Sequence, residues 1–293
     1  MPHVHHSAPG SLGSVFLTIT LVFTALMYLR RWIFSRACIP IWRACGFLVG
    51  LLLIWVAVAS PLSTLDHELL TVHMLKHLLL MTLAPPLIWL GEPVSPLLHG
   101  LPQRFVQRVL APAFQLPPVR RIGRTFGQPE FGWLAAAVAL VGWHIPAVFT
   151  LAMQSGAWHF VEQSSFLASG LLFWWPIVQP WPSVLKLDLS VILYLFLATL
   201  PCDILSGFLV FCDRVVYPAY SSSSHLLGLS ALGDQQCAAA LMWTCVTVVY
   251  FAAGAILTMR LLSPQNSRDD EFGQPDLQVK AVAQSIRQKL EAF

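Results

Sequence analysis

The chain is 293 residues long, 56% hydrophobic and only 11% charged, with a mean hydropathy of +0.68. Soluble domains carry roughly 25% charged residues, so the deficit points to a bilayer, where charge is expensive and apolar residues need no burying partner. A net charge of +3, with basic residues scattered between apolar blocks, excludes a nucleic-acid footprint. The six cysteines form no Cys-x-x-Cys pair, which argues against a zinc or thioredoxin-like motif. The first apolar run has no Lys or Arg before it and so does not read as a cleavable signal.

A membrane-spanning helix needs about 20 mostly apolar residues. Seven stretches qualify in chain order: Ser14–Leu29, Ala44–Ala59, Glu68–Leu90, Phe131–Met153, Trp158–Val178, Leu189–Phe211 and Gln236–Leu262. The expected fold is an all-α integral membrane protein of about seven transmembrane helices. It comprises an outer tail (1–13), a membrane domain (14–262) and a polar cytoplasmic tail (263–293). Pro85 and Pro86 are expected to end the third helix early, at Ala84. Arg104–Phe114 reads as a basic amphipathic stretch lying on the membrane surface. Leu277–Leu290 has helical apolar spacing.

Orientation follows from where Lys and Arg fall. The odd-numbered loops and the C-terminal tail hold 15 of the 17, including Arg30, Arg31, Arg36, Arg43, Arg120, Arg121 and Arg124. The expected topology therefore places the N-terminus outside and the C-terminus in the cytoplasm.

That orientation gathers polar residues in the outer half. Helix three carries His73 and His77 at i, i+4, on one face, with Met81 continuing the stripe. Helix four ends near His144 before Pro146, and helix five begins with His159, Glu162 and Gln163. Helix six contributes Cys202 and Asp203. Helix seven contributes Asp234, Gln235, Gln236, Cys237 and Met242. Ionisable residues inside a bilayer usually mark a site. Imidazole with thioether suits copper, and few carboxylates stand nearby to attract a hard ion. The expected metal ligands are His73, His77, His144, His159, Met81 and Met242. Lys76, Glu162, Asp203, Asp234, Gln235 and Gln236 form a surrounding polar set. Lys76, deep in helix three, is expected to pair with Glu162 or Asp203. His67 and His99 read as interfacial, and His3, His5 and His6 as part of a polar tail. A Cys212–Cys237 disulfide is left open. Paired histidines also suit a haem-binding electron-transfer protein, and a copper transporter is a further alternative, although soft ligands run out beyond Met81.

The run His73-Met74-Leu75-Lys76-His77-Leu78-Leu79-Leu80, followed by Ala84-Pro85-Pro86-Leu87 and Leu90-Gly91-Glu92-Pro93, resembles the membrane-embedded CtaG family of cytochrome c oxidase assembly factors. So do Trp143-His144-Ile145-Pro146, Phe173-Trp174-Trp175-Pro176, Tyr217-Pro218-Ala219-Tyr220, and Asp234-Gln235-Gln236 with Met242-Trp243. The resemblance spans roughly Ser60 to Leu262. The chain departs from the family pattern at Lys76, where the family usually has Gln, and at Gln163, where it usually has His. The resemblance implies an assembly factor rather than an enzyme. Such a factor would deliver copper, as Cu(I), on the outer side of the bacterial plasma membrane. Its implied partners are subunits of a haem–copper oxidase, a periplasmic or extracytoplasmic copper chaperone, and membrane lipid.

Overall fold

A computed structural model describes residues 12–34, 40–94, 96–97, 108, 112, 116–178, 189–220 and 228–262. The tail histidines, His99, Cys38, most of Arg104–Phe114 and the stretch Leu277–Leu290 lie outside the described residues. The described chain is all-α, without a strand. Its helices are α1 (Leu12–Phe34), α2 (Ile41–Val58), the single turn α3 (Leu62–Leu65), α4 (Leu70–Leu78), α5 (Ala84–Leu90), α6 (Pro117–Phe126), α7 (Pro129–His144), α8 (Pro146–Gln154), α9 (Gly156–Val178), α10 (Leu189–Phe211) and α11 (Ala231–Leu261). The chain divides into two units between Phe251 and Ala252; the site described below lies wholly in the first.

Five stretches among the described residues are long and apolar enough to cross a membrane: Leu12–Ile33, Ile41–Val58, Leu70–Leu90, Leu189–Phe211 and Ala231–Leu261. The pair α7 and α8 makes a sixth if taken as one broken span, bent by 79°. Each of the seven stretches read from the sequence is helical, but α9 falls short of the others in apolarity. It carries His159, Glu162, Gln163, Ser164, Ser165 and Ser169 within one helix. The bend between α7 and α8 follows from Pro146, which has no N–H to continue the ladder. Ile145 turns extended there, and its N–H bonds back to the Gly142 carbonyl at 3.3 Å.

The third stretch runs to Leu90, the bound read from the sequence, and the alternative of an early end at Ala84 is corrected. Helix α4 continues through a π-helical segment, Leu79–Leu83, into α5, so the span reaches Leu90. In a regular α-helix the Pro85 ring would collide with the Met81 carbonyl and both prolines would waste a ladder position. Widening the turn, with the Ala84 N–H bonding to the Leu79 carbonyl, places Pro85 and Pro86 in the first turn of a new helical segment, where a missing N–H costs least.

Glycine lets the helices approach at this point. A Cβ on Gly170 of α9 would lie 2.6 Å from the Met81 carbonyl oxygen and 2.8 Å from its Cα. Gly50 does the same for α2 against α5, and Gly132 for α7 against the Leu172 backbone of α9. Small residues at crossings are how helices pack where no hydrophobic force drives them together. At the other end of α5, Tyr28 of α1 stacks on Phe47 of α2, centroids 4.2 Å apart, and donates a hydrogen bond to the Gly91 carbonyl at 2.8 Å. Arg43 and Glu92 form an ion pair beside it.

The contact at Gly170 gives a direct test. Gly170→Ala forces a methyl into backbone atoms that cannot rotate away, and should destabilise the detergent-purified protein by ~1–3 kcal/mol. Gly142→Ala, with no heavy atom within 4 Å of the new methyl, should leave the melting temperature nearly unchanged. Equal melting temperatures for the two variants would refute the crossing as described.

Candidate metal centre

The site is built from α4 and α9, closed by turns from elsewhere in the chain. On α4 the i, i+4 spacing brings His73 and His77 together, ring centroids 4.4 Å apart and both side chains buried. On α9, His159 and Glu162 stand at i, i+3. Glu162 is 0% exposed and aims at all three imidazoles. Its Oε1 lies 3.5 Å from His73 Nε2 and 3.4 Å from His77 Nε2, and its Oε2 lies 3.1 Å from His159 Nδ1. None of these contacts is aligned as a hydrogen bond. Both ring nitrogens of His73 and of His77, Nδ1 of His159 and both Glu162 oxygens are buried without a hydrogen-bond partner. Buried polar atoms are nearly always satisfied, so a concentration of orphans around one carboxylate calls for a ligand.

Lys76 is paired, but with neither Glu162 nor Asp203. Its ammonium contacts Asp66, in the turn between α3 and α4. Asp66 is 0% and Lys76 2% exposed. The sequence reading missed Asp66 because it precedes the apolar span; α3 folds the turn back over the head of α4. Asp66 Oδ2 is also 3.1 Å from His159 Nε2, which in turn lies 3.5 Å from the Lys76 Nζ and 2.6 Å from the Gln163 side-chain amide. Burial would push the Asp66 carboxyl up, but the His159 hydrogen bond and the Lys76 charge outweigh it and hold the group well below the usual carboxylate range. His67, read as interfacial, is half-buried at the edge of this group, its Nε2 3.6 Å from Asp66 Oδ1.

Among the described residues two sets of ligand atoms are close enough to share an ion: His73, His77 and Glu162, and Asp66, His73 and His159. The premise of few carboxylates is therefore corrected, because the donors nearest the histidines are two carboxylates. The other expected ligands lie beside these sets. His144, the last residue of α7, has Nδ1 2.6 Å from the Leu140 carbonyl. Carbonyl and thioether both only accept, so a neutral His144, with one ring N–H, donates either from Nδ1 to the Leu140 carbonyl or from Nε2 to the Met74 sulfur at 3.2 Å, not to both. Met74 was not among the expected ligands; its position three residues before His77 was the available signal. Met81 and Met242 line an apolar cavity of about 40 Å³ with His77, His144 and Cys202.

The remaining polar residues hold the helices in place. Asp234, in the first turn of α11, accepts from the Leu70 N–H at 2.6 Å, the Thr71 N–H at 3.2 Å and the Thr71 hydroxyl at 2.6 Å. It thus caps α4 from another helix, since Leu69 supplies no side-chain cap. Gln235 accepts from the Val216 N–H at 2.7 Å and donates to the Arg214 carbonyl at 3.2 Å. Gln236 and Asp203 are half-buried. Cys212 and Cys237 are both free. The turn 217–220 closes the site: Tyr217 donates to the His144 carbonyl at 3.1 Å and Tyr220 to the Asp66 carbonyl at 2.5 Å. Burial pushes both phenols above their ordinary range, so both remain donors.

Removing one partner of a buried ion pair costs about 3–5 kcal/mol. Asp66→Asn strands the Lys76 ammonium and should lower stability by that order. The double variant Asp66→Asn/Lys76→Gln removes both charges and should recover much of the loss. Thermal melts of the two proteins check this; a double variant no more stable than the single would contradict the pairing.

A family model described as cytochrome c oxidase caa3 assembly factor matches residues 21–263. No curated protein and no solved structure matches the chain. The match runs from within α1 to the end of α11 and takes in every residue of the centre, so the chain belongs to the family of cytochrome c oxidase caa3 assembly factors.

Proposed function

We propose that the protein serves oxidase assembly by carrying copper, held as Cu(I) by His73, His77 and Glu162 and passed to an oxidase subunit directly or through an extracytoplasmic copper chaperone. The observation that carries this reading is the set of buried, orphaned imidazole nitrogens of His73, His77 and His159, each within 3.5 Å of an orphaned Glu162 oxygen. Copper is cargo here. Imidazole is a good ligand for it, and the sulfurs of Met74, Met81 and Met242 and the Cys202 thiol lie beside His77 and His144. Haem fits less well: the cavity between His77 and His144 is about 40 Å³, whereas small-molecule and cofactor sites run to roughly 300–1,000 Å³.

The distribution of Lys and Arg supports seven spans, the N-terminus outside and the centre in the outer half, facing the side from which copper arrives, and the family supports the bacterial plasma membrane. Reporter tags after Met1 and after Phe293 should then respond from opposite sides of the membrane. Tags reporting from one side would remove the outward-facing placement.

His77→Ala should leave the protein inserted and abundant, because Ala is a good helix former and α4 keeps its apolar length. The partner oxidase should be made and acquire haem, yet lack copper and turnover. The measurement is copper and haem per oxidase, together with copper per purified assembly factor after Cu(I) loading. Full oxidase copper in cells containing normal amounts of the variant would reduce His77 to a structural residue.

A further inference from the structure

Two carboxylates, Glu162 and Asp66, are both fully buried within one cluster. In a low-dielectric interior each calls for a cation within a few ångströms. Among the described residues a single ammonium stands at the cluster, that of Lys76. It lies against Asp66 and 3.5 Å from His159 Nε2. Those are two of the three residues that make up the second set of candidate ligands, Asp66, His73 and His159. A metal bound to Asp66 Oδ2 and His159 Nε2 would have to sit at roughly 2 Å from both. That is the space the ammonium already fills, and the repulsion between two cations so close is severe. Lys76 has nowhere else to go, being 2% exposed and in the interior of α4. Glu162, by contrast, has no ammonium against either oxygen. Its neighbours are the imidazoles of His73, His77 and His159, and its oxygens are orphaned.

We propose that the Lys76 ammonium is the resident cation of a two-cation cluster. The chain then holds one metal ion, among His73, His77 and Glu162, while Lys76 excludes a second from Asp66, His73 and His159. This deepens the copper reading above and rests on it. Lys76 thereby sets the metal stoichiometry without being a ligand. Removing its charge should open the second position; His73 belongs to both sets and a neutral imidazole offers one lone pair, so the second ion would rest on Asp66 and His159, with one buried carboxylate for each of two ions.

The test counts copper per chain after loading the full-length, detergent-purified protein with Cu(I) and removing loosely held metal with a chelator. The proteins compared are wild type, Lys76→Gln, Lys76→Met and Lys76→Gln/Asp66→Asn. The expected counts are one, two, two and one; the last falls back because the carboxylate of the second position is gone. Lys76→Met keeps the length of the side chain and covers the case in which Gln alone perturbs folding. Wild type holding two ions overturns the proposal without any variant. One ion in wild type and still one in both single variants overturns it while leaving the copper reading intact. No ion in any of the four proteins removes the copper reading, and this proposal with it. No ion in wild type but one or two in the single variants overturns the division of the cluster, since Lys76 would then block both positions.

Discussion

The interaction on which the rest of the structure depends is the neutralisation of two carboxylates buried among helices. A carboxylate taken out of water loses several kcal/mol of hydration even after relaxation, and here both Asp66 and Glu162 are fully buried. The fold responds by gathering positive and polarisable groups around them: the Lys76 ammonium on one side, three imidazoles between them. Such an arrangement tolerates little slack, because a shift of an ångström would leave a charge uncompensated. Asp234 capping α4 from α11, Tyr217 and Tyr220 clamping carbonyls, and the glycine crossings therefore belong to the same problem. They fix the backbones from which the charged side chains reach inward.

The π segment has its place in that scheme. Helix α4 must present His73 and His77 to α9 while the chain continues through Pro85 and Pro86 in one span. A regular helix cannot do both, since Pro85 would strike the carbonyl one turn earlier. The extra residue in the turn removes the clash and seats the Met81 backbone against Gly170, which lies on the same face of α9 as Glu162 and Phe166. His77 stacks on Phe166, ring centroids 4.1 Å apart. The same crossing that relieves the prolines thus holds α4 and α9 at the distance the histidines need.

Much of this was legible in the sequence, and the misses share a cause. Apolar length revealed the helices, and the rule that buried ionisable groups mark sites picked out His73, His77, His159 and Glu162, which do converge. What sequence spacing does not encode is contact between a span and a turn that precedes it. Asp66 drew no notice because it lies outside the apolar run, yet α3 folds it inward to become the counter-ion of Lys76. Met81 was chosen because it continues the stripe of His73 and His77, and Met74 was not considered. Met74 nonetheless reaches His144, because α7 crosses α4 from a side that the stripe does not describe. The prolines were read as an end because a π turn has no simple sequence signature.

The distribution of charge also explains why nitrogen and oxygen donors separate from sulfur donors. Carboxylates bring a net charge that must be balanced locally, so Asp66 and Glu162 are confined to the ring of Lys76 and the imidazoles. Thioethers and a protonated thiol are neutral and need no counter-charge. They can line an apolar cavity, and Met81, Met242 and Cys202 do so among Phe166, Phe173 and Val246. His77 belongs to both regions: its Nε2 faces Glu162, and its ring borders the cavity shared with His144. Neutral imidazole is the one ligand type that is comfortable in either surrounding. The passage from hard to soft donors therefore falls at histidine, for the same electrostatic reason that placed the carboxylates where they are.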